Sequence, residues 1–345
     1  MNVKKLNLIS QILISILLSI VLISCQSKKE QVLSLDGKTM GQVSYRVLVV
    51  TKSSNQQSIH NGIDAKLDEI VQLMSTYEKD SQVSQFNDLQ INKALKVDPK
   101  TFEVLALSQL ISEQTDGSFD ITVGPLVDLW GFGPKARPEQ IPDPMQIMQS
   151  FPLIGYEAIK LNADDVSVLK QKYRRIDLSA IAKGYAVDEI AKYLDSQLIN
   201  AYMIEVGGEI RLKGLKPSGD KWRIAIEKPE ASFGQKIQTT LAITDISMAT
   251  SGDYRNYFEI DGLRFSHTID PTTGYPINHN LASVTVLSKD CATADAMATA
   301  LMVMGEQKAV QFANKNNIAA FFIVKTGEGF KQVSSQSYKI KTNEK

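Results

Sequence analysis

The 345-residue chain has little cysteine: two residues, Cys25 and Cys291. That excludes a disulfide framework, and a folded unit of about 320 residues buries enough core to do without one. It has no excess charge of either sign, since 38 Lys and Arg balance 38 Asp and Glu. A nucleic-acid partner, or any strongly charged one, is not indicated. Internal repeats and long low-complexity linkers are absent. So are the G-x-G-x-x-G turn and the G-x-x-x-x-G-K-[ST] phosphate loop, and with them the support for the usual nucleotide folds. Histidine is scarce as well, at positions 60, 267 and 279. A long apolar run occurs once, at the N-terminus, and no second run of that length follows.

That run extends from Leu6 to Ile23 behind Lys4 and Lys5, and it stops at Ser24-Cys25. A positive start, an apolar stretch and a small residue describe an export signal. The cysteine directly after the small residue resembles a bacterial lipobox, in which the thiol is acylated and becomes the new N-terminus. A membrane-spanning helix is the competing reading. The expected organisation is a lipoprotein signal over residues 1–25, a tether over 26–37 and one catalytic unit over 38–345. The protein is then exported and held on the periplasmic side of a membrane by lipid. A lipidated Cys25 leaves Cys291 alone, most simply as a small buried hydrophobe.

The pattern downstream predicts an α+β fold with largely antiparallel sheets. Strands are expected at Gln42–Val50, Tyr202–Val206, Trp222–Glu227, Ala282–Leu287 and Ala319–Val324. Asn256–Ile260 and Leu263–Thr268 flank Asp261-Gly262, a strong hairpin signal. Apolar residues at helical spacing predict helices from Ile59 to Met74, Pro99 to Gln114 and Ser179 to Leu194. Five prolines between Pro134 and Pro152 predict a loop or a short interrupted helix.

Chemistry concentrates in a few segments. Ser266 to Asn280, SHTIDPTTGYPINHN, is polar and turn-rich. The helix that follows carries Asp295 and Thr299 four residues apart, on one face. Two hard oxygen ligands there suit Mg²⁺ held against phosphate oxygens. An acidic residue near a helix start also serves the macrodipole. His267 beside Asp270 offers a general acid or base, or a structural histidine. Asp177 and Ser179 stand where N-caps stand. Lys183 sits in the first helical turn, where a cation opposes the macrodipole and asks for a compensating anion. Thr115-Asp116-Gly117 opens a glycine-rich stretch whose backbone a ligand could approach closely. Tyr77 could stack on a flat ring or be half-buried core.

Together these segments resemble the ApbE family of FAD:protein FMN transferases. The likeness is collinear from about Lys38 to about Lys325. It is carried by Met40-Gly41, MSTYEKDSQVSQFN, DGSFDITVGPLVDLWGFGP, IDLSAIAKGYAVD, VGGEI, ATSGDYRNYF, SHTIDPTTGYPI and ATADAMATALMVMG. The resemblance implies a Mg²⁺-dependent transfer of FMN from FAD, through its phosphate, to a threonine or serine of a target flavoprotein, with AMP leaving. It implies that Met40, Tyr77, Thr115, Asp116, Gly117, Asp177, Lys183 and Ile269 line the FAD site. It implies that the Ala180 carbonyl, Asp295 and Thr299 hold Mg²⁺. Lys183 then stabilises phosphoryl charge, and His267 or Asp270 takes the proton of the acceptor hydroxyl. The targets implied are flavoproteins of respiratory redox complexes with a Ser/Thr-Gly-Ala-Thr-like acceptor. By the same likeness the anchor sits in the inner membrane; Gln26, which is not the retention aspartate, keeps the outer membrane open. A Mg²⁺-dependent FAD pyrophosphatase and a non-enzymatic flavin-binding lipoprotein are the alternatives.

Overall fold

The computed structural model describes residues 29–52, 55–133, 140–229, 237–253, 257–260 and 262–344. The expected signal, Cys25 and the Asp261 of the hairpin turn lie outside them. Among the described residues no helix is long and apolar enough to cross a membrane.

An eight-stranded antiparallel sheet organises the chain. Its strands are β1 (Gln31–Thr39), β2 (Val43–Thr51), β6 (Tyr202–Val206), β7 (Glu209–Lys213), β10 (Ile246–Gly252), β13 (Leu281–Ser288), β14 (Ala319–Thr326) and β15 (Gly329–Ser334), side by side in that order. Three short strands, β3 (Lys93–Lys96), β4 (Ile159–Asn162) and β5 (Ser167–Lys170), form a second sheet with β5 in the middle. β8 (Trp222–Glu227) pairs with β9 (Ile237–Ile243), and β11 (Tyr257–Ile260) with β12 (Leu263–Ser266). All of these pairings are antiparallel, so the expected fold class is what the chain adopts.

Both faces of the large sheet are covered. In β14, Ala320, Phe322 and Val324 enter one core, while Ala319, Phe321 and Ile323 enter another. This is the two-residue alternation of a strand serving two layers. The larger core lies under helices α1 (Gln56–Met74), α3 (Pro99–Gln114), α6 (Ala182–Ser196) and α7 (Cys291–Lys315). The smaller lies under the β8–β9 ribbon and a C-terminal helix, α8 (Gln336–Thr342). A third cluster gathers around Trp130, which follows α4 (Gly124–Leu129). Burying each large apolar side chain here contributes about 1.5–3 kcal/mol.

The structure revises several expectations. Residues 31–37, expected in the tether, belong to β1, paired with β2 along its whole length. As an edge strand β1 fully buries Leu35 and Thr39 and leaves most other positions open, so its sequence carries little apolar signal. The strand expected from Leu263 to Thr268 stops at Ser266. Leu110, expected on the apolar side of its helix, is exposed. The proline-rich stretch is outside the description at 134–139, and then forms α5 (Pro144–Ser150), opened by a capping box on Asp143. A further short helix, α2 (Gln82–Asp88), is capped by Ser81.

Candidate active site

Helices α6 and α7 cross at close range, and Gly184 is the reason they can. A Cβ on Gly184 would lie 2.4 Å from the Cys291 carbonyl oxygen and 2.9 Å from the Ala292 Cα. Those are backbone atoms, so any side chain there would push the helices apart. In a regular helix the Gly184 amide would donate to the Ala180 carbonyl, four residues back. Instead it donates to Asp295 Oδ2, at 3.0 Å. Ala180 lies just outside the regular helix, and no amide of the described residues takes its carbonyl. The crossing therefore orients one carboxylate and releases one backbone oxygen.

The entry to α6 differs from the expectation. The regular helix begins at Ala182 behind Ile181, whose side chain makes no cap bond. Asp177 Oδ1 accepts from the Ser179 amide at 2.8 Å, a local turn, and neither residue caps the helix. A tight turn intervenes, with the Ile181 and Ala182 amides both donating to the Leu178 carbonyl.

Asp295 is 6% exposed, and Thr299 is half-buried one turn further along α7. Asp295 is not the acidic cap of its helix. Asp290 Oδ1 accepts from the Thr293 amide at 2.9 Å. Asp188 of α6 accepts from the Cys291 amide at 2.8 Å and the Ala292 amide at 2.9 Å. With that role filled, Asp295 turns to Gly184 and Lys183. Its Oδ1 has no protein partner among the described residues, nor does the Thr299 hydroxyl. One carboxylate oxygen, one hydroxyl and one backbone carbonyl are hard donors. They fit a divalent cation of the Mg²⁺ kind, which keeps several waters of its own.

Lys183 was expected to need an anion. Two carboxylates supply it: Nζ lies 2.7 Å from Glu209 Oε1 and 3.7 Å from Asp295 Oδ2. Burial alone would depress the Lys183 pKa, but Asp295 and Glu209 together hold it above its ordinary value. Burial pushes the Glu209 carboxyl up to about 7, with Lys183 pulling it down and Asp295 adding to the rise. Burial also raises Asp295, against Lys183 and the Gly184 amide. Two acids around one base leave this pocket short of positive charge. Glu209 was not singled out from the sequence, although the VGGEI segment contains it.

The glycine-rich segment is a helix terminus. Thr115 caps α3, its hydroxyl donating to the Ile111 carbonyl at 2.7 Å. Asp116 and Gly117 follow with φ of 48° and 74°, and the Gly117 amide returns to the Ser112 carbonyl at 2.9 Å. This is a Schellman termination, with the Asp116 carboxylate left exposed. Further on, Trp130 Nε1 donates to the Gly274 carbonyl at 2.9 Å. That bond ties the glycine-rich segment to the loop from Ser266 to Asn280.

Within that loop, Asp270 Oδ1 accepts from the Thr272 amide and hydroxyl, at 2.8 and 2.7 Å. Ile269 is buried and bridges to Pro276. The His267 ring meets Phe132 edge-on at 6.3 Å. Tyr77 is 71% exposed, so half-buried core is not its place and its ring is open to a flat partner. Met40, at φ 46°, turns the chain from β1 to β2. Among the described residues no hydrogen bond or ion pair joins Met40, Tyr77, Thr115, Asp116, Gly117, Asp177, Ile269 or Asp270 to the Lys183–Glu209–Asp295 cluster. The structure joins Lys183, Asp295 and, through Gly184, the Ala180 turn.

The fold and the site define the class: an antiparallel α+β protein in which two helices cross over a buried acid–base cluster of Lys183, Glu209 and Asp295. Comparison with known proteins makes the class specific. The chain belongs to the ApbE family, whose model matches residues 40–322. It is 45% identical over 323 residues to the FAD:protein FMN transferase of Vibrio cholerae, covering 93% of this chain and 95% of that one. It is 42% identical over 342 residues to the protein of the same name from Haemophilus influenzae, covering 96% and 98%. The solved structure of the flavin transferase ApbE from Vibrio cholerae superposes with a TM-score of 0.83 at 43% identity, covering 90% of this chain and 99% of that chain.

Proposed function

We propose that this chain is an FAD:protein FMN transferase. It moves FMN from FAD onto a threonine or serine of a target flavoprotein through a phosphoester bond and releases AMP. The observation that carries the reading is the diverted Gly184 amide, which orients Asp295 and frees the Ala180 carbonyl. The names of its relatives, similar over nearly the whole chain, support the substrate. Ala180, Asp295 and Thr299 would hold Mg²⁺. When bound, the ion neutralises charge on pyrophosphate oxygens.

The chain's own groups do the rest. Lys183, kept charged by its two carboxylates, places a positive charge beside the transferred phosphoryl group. Tyr77 presents an open ring to the flavin. The Asp116–Gly117 turn offers backbone without a bulky side chain at Gly117. His267 or Asp270 accepts the proton of the acceptor hydroxyl. Cys25 carries lipid and holds the enzyme at the periplasmic side of the membrane. Its targets are respiratory flavoproteins with a Ser/Thr-Gly-Ala-Thr-like acceptor.

The test mixes the purified protein, FAD, Mg²⁺ and an acceptor with that motif. Flavin fluorescence that stays with the acceptor through denaturation is the expected result. AMP and free FMN without labelled acceptor would instead make the chain an FAD pyrophosphatase. The anchor is tested separately, by the mass of the mature N-terminus. A start other than an acylated Cys25 would remove it.

A further inference from the structure

Glu209 is 3% exposed and sits directly after the Gly207-Gly208 turn, where β7 begins. Both glycines have positive φ, at 64° and 107°. A Cβ on Gly207 would meet Val43 at 2.8 Å, with the Lys183 Cδ at 3.3 Å and Glu209 Oε2 at 3.4 Å. The bare turn thus lets the lysine stem and the carboxylate come together. Glu209 Oε1 takes the Lys183 ammonium at 2.7 Å, while Oε2 is buried with no hydrogen-bond partner. A buried carboxylate with one orphaned oxygen weakens a fold. Stability is therefore a poor reason to keep it.

The two distances to Lys183 suggest a better one. At 2.7 Å the lysine bonds Glu209; at 3.7 Å it is outside hydrogen-bond range of Asp295. A lysine ammonium is a mobile point charge on a flexible stem. Without Glu209, Asp295 is the other acid in its reach, and the ammonium would close onto it. We infer that Glu209 is a positioning residue: it holds the Lys183 ammonium off Asp295, leaving that carboxylate open to a divalent cation. The inference rests on the metal reading proposed above. It concerns a residue outside the three donors proposed to hold the cation.

The experiment titrates Mn²⁺, followed by electron paramagnetic resonance, into the purified full-length protein without FAD. Wild type is compared with Glu209→Gln, Lys183→Met and the double variant. Glu209→Gln should weaken Mn²⁺ binding about ten-fold or more, the scale on which residues behind a metal ligand act. Its thermal midpoint should stay level or rise, because Lys183 then pairs with Asp295 and the cluster no longer holds two buried acids around one base. In the Lys183→Met background the same Glu209→Gln change should have no effect, since no ammonium remains to be held. Glu209→Asp, which retracts the carboxylate by one methylene, should lose part of the affinity and provides the comparison if the Gln variant does not fold. Wild-type Mn²⁺ affinity in Glu209→Gln would overturn the inference. So would a full loss that persists without Lys183, which would mean Glu209 acts on the cation directly. No Mn²⁺ binding by wild type would overturn the metal reading first and the inference with it.

Discussion

The Gly184 amide donates to Asp295 Oδ2 at 3.0 Å across 111 positions of sequence. One bond thereby couples the packing of two helices to the aim of a buried carboxylate. A glycine is required because the backbone of α7 occupies the place of its side chain.

Gly184→Ala should therefore act on stability and site together. Overpacking of this kind costs about 1–3 kcal/mol. Urea unfolding measures the loss, and Mn²⁺ titration of the folded fraction measures the site. A variant with wild-type stability would mean that the helices separate freely, and that their contact does not set the site.

Asp295→Ala should abolish Mg²⁺-dependent turnover with the fold intact. Lys183 keeps its shorter pairing to Glu209, so no charge is stranded. Thr299→Ala should be milder, because water replaces a hydroxyl ligand more readily than a charge. Turnover against Mg²⁺ concentration, with circular dichroism as the fold control, checks both. Near-normal turnover in Asp295→Ala at ordinary Mg²⁺ would remove the cation from this site.

Two parts of the candidate site are legible along the chain because their spacing is local. Asp295 and Thr299 share a helical face by arithmetic alone, and the apolar periodicity around Lys183 announces a helix. What is not legible depends on distant partners. Glu209 after Gly207-Gly208 looks like an ordinary charge opening a strand, and its burial exists only once β7 lies beside α6. Asp177 and Ser179 look like caps, but Asp177 closes a turn onto Ser179 and the helix starts later. The edge strand β1 escapes notice for a different reason. Most of its side chains face outward, so the apolar alternation that reveals a strand is weak there.

His279 should make the fold acid-sensitive. Its Nε2 lies 2.9 Å from the Met302 carbonyl, which can only accept, so Nε2 carries the proton. Nδ1 is buried without a partner. Burial pushes the imidazole below its ordinary pKa, while Met302 and Asp253 pull upward and Lys325 adds to the depression. The folded state thus binds the second proton less readily than the unfolded state. Its contribution is intact above about pH 6.5 and falls as pH drops through that value toward the folded pKa. The difference in thermal midpoint between pH 7.5 and pH 5 should shrink in His279→Gln. Equal pH dependence in the two proteins would show that His279 does not carry it.

Asp188 should prove the main electrostatic tie between the crossing helices. It is 5% exposed, and its two oxygens accept from the amides of Cys291 and Ala292 and from Arg211 Nη1 at 2.5 Å. Burial raises its pKa, and those donors oppose the rise. The first amides of α7 are thus satisfied by a carboxylate from α6 rather than by water. Asp188→Ala would leave them unpaired and strand a half-buried guanidinium. Removing one partner of such a pair costs about 3–5 kcal/mol. Asp188→Asn should fall between, since its amide group must face donors on one side. The double change Asp188→Leu with Arg211→Met should recover part of the loss, because it leaves no charge behind. Urea unfolding of the four proteins measures each step. A loss under about 1 kcal/mol in Asp188→Ala, the scale of an exposed pair, would mean that water already reaches the α7 N-terminus. In that case the aim of Asp295, one turn further along, would depend on Gly184 alone.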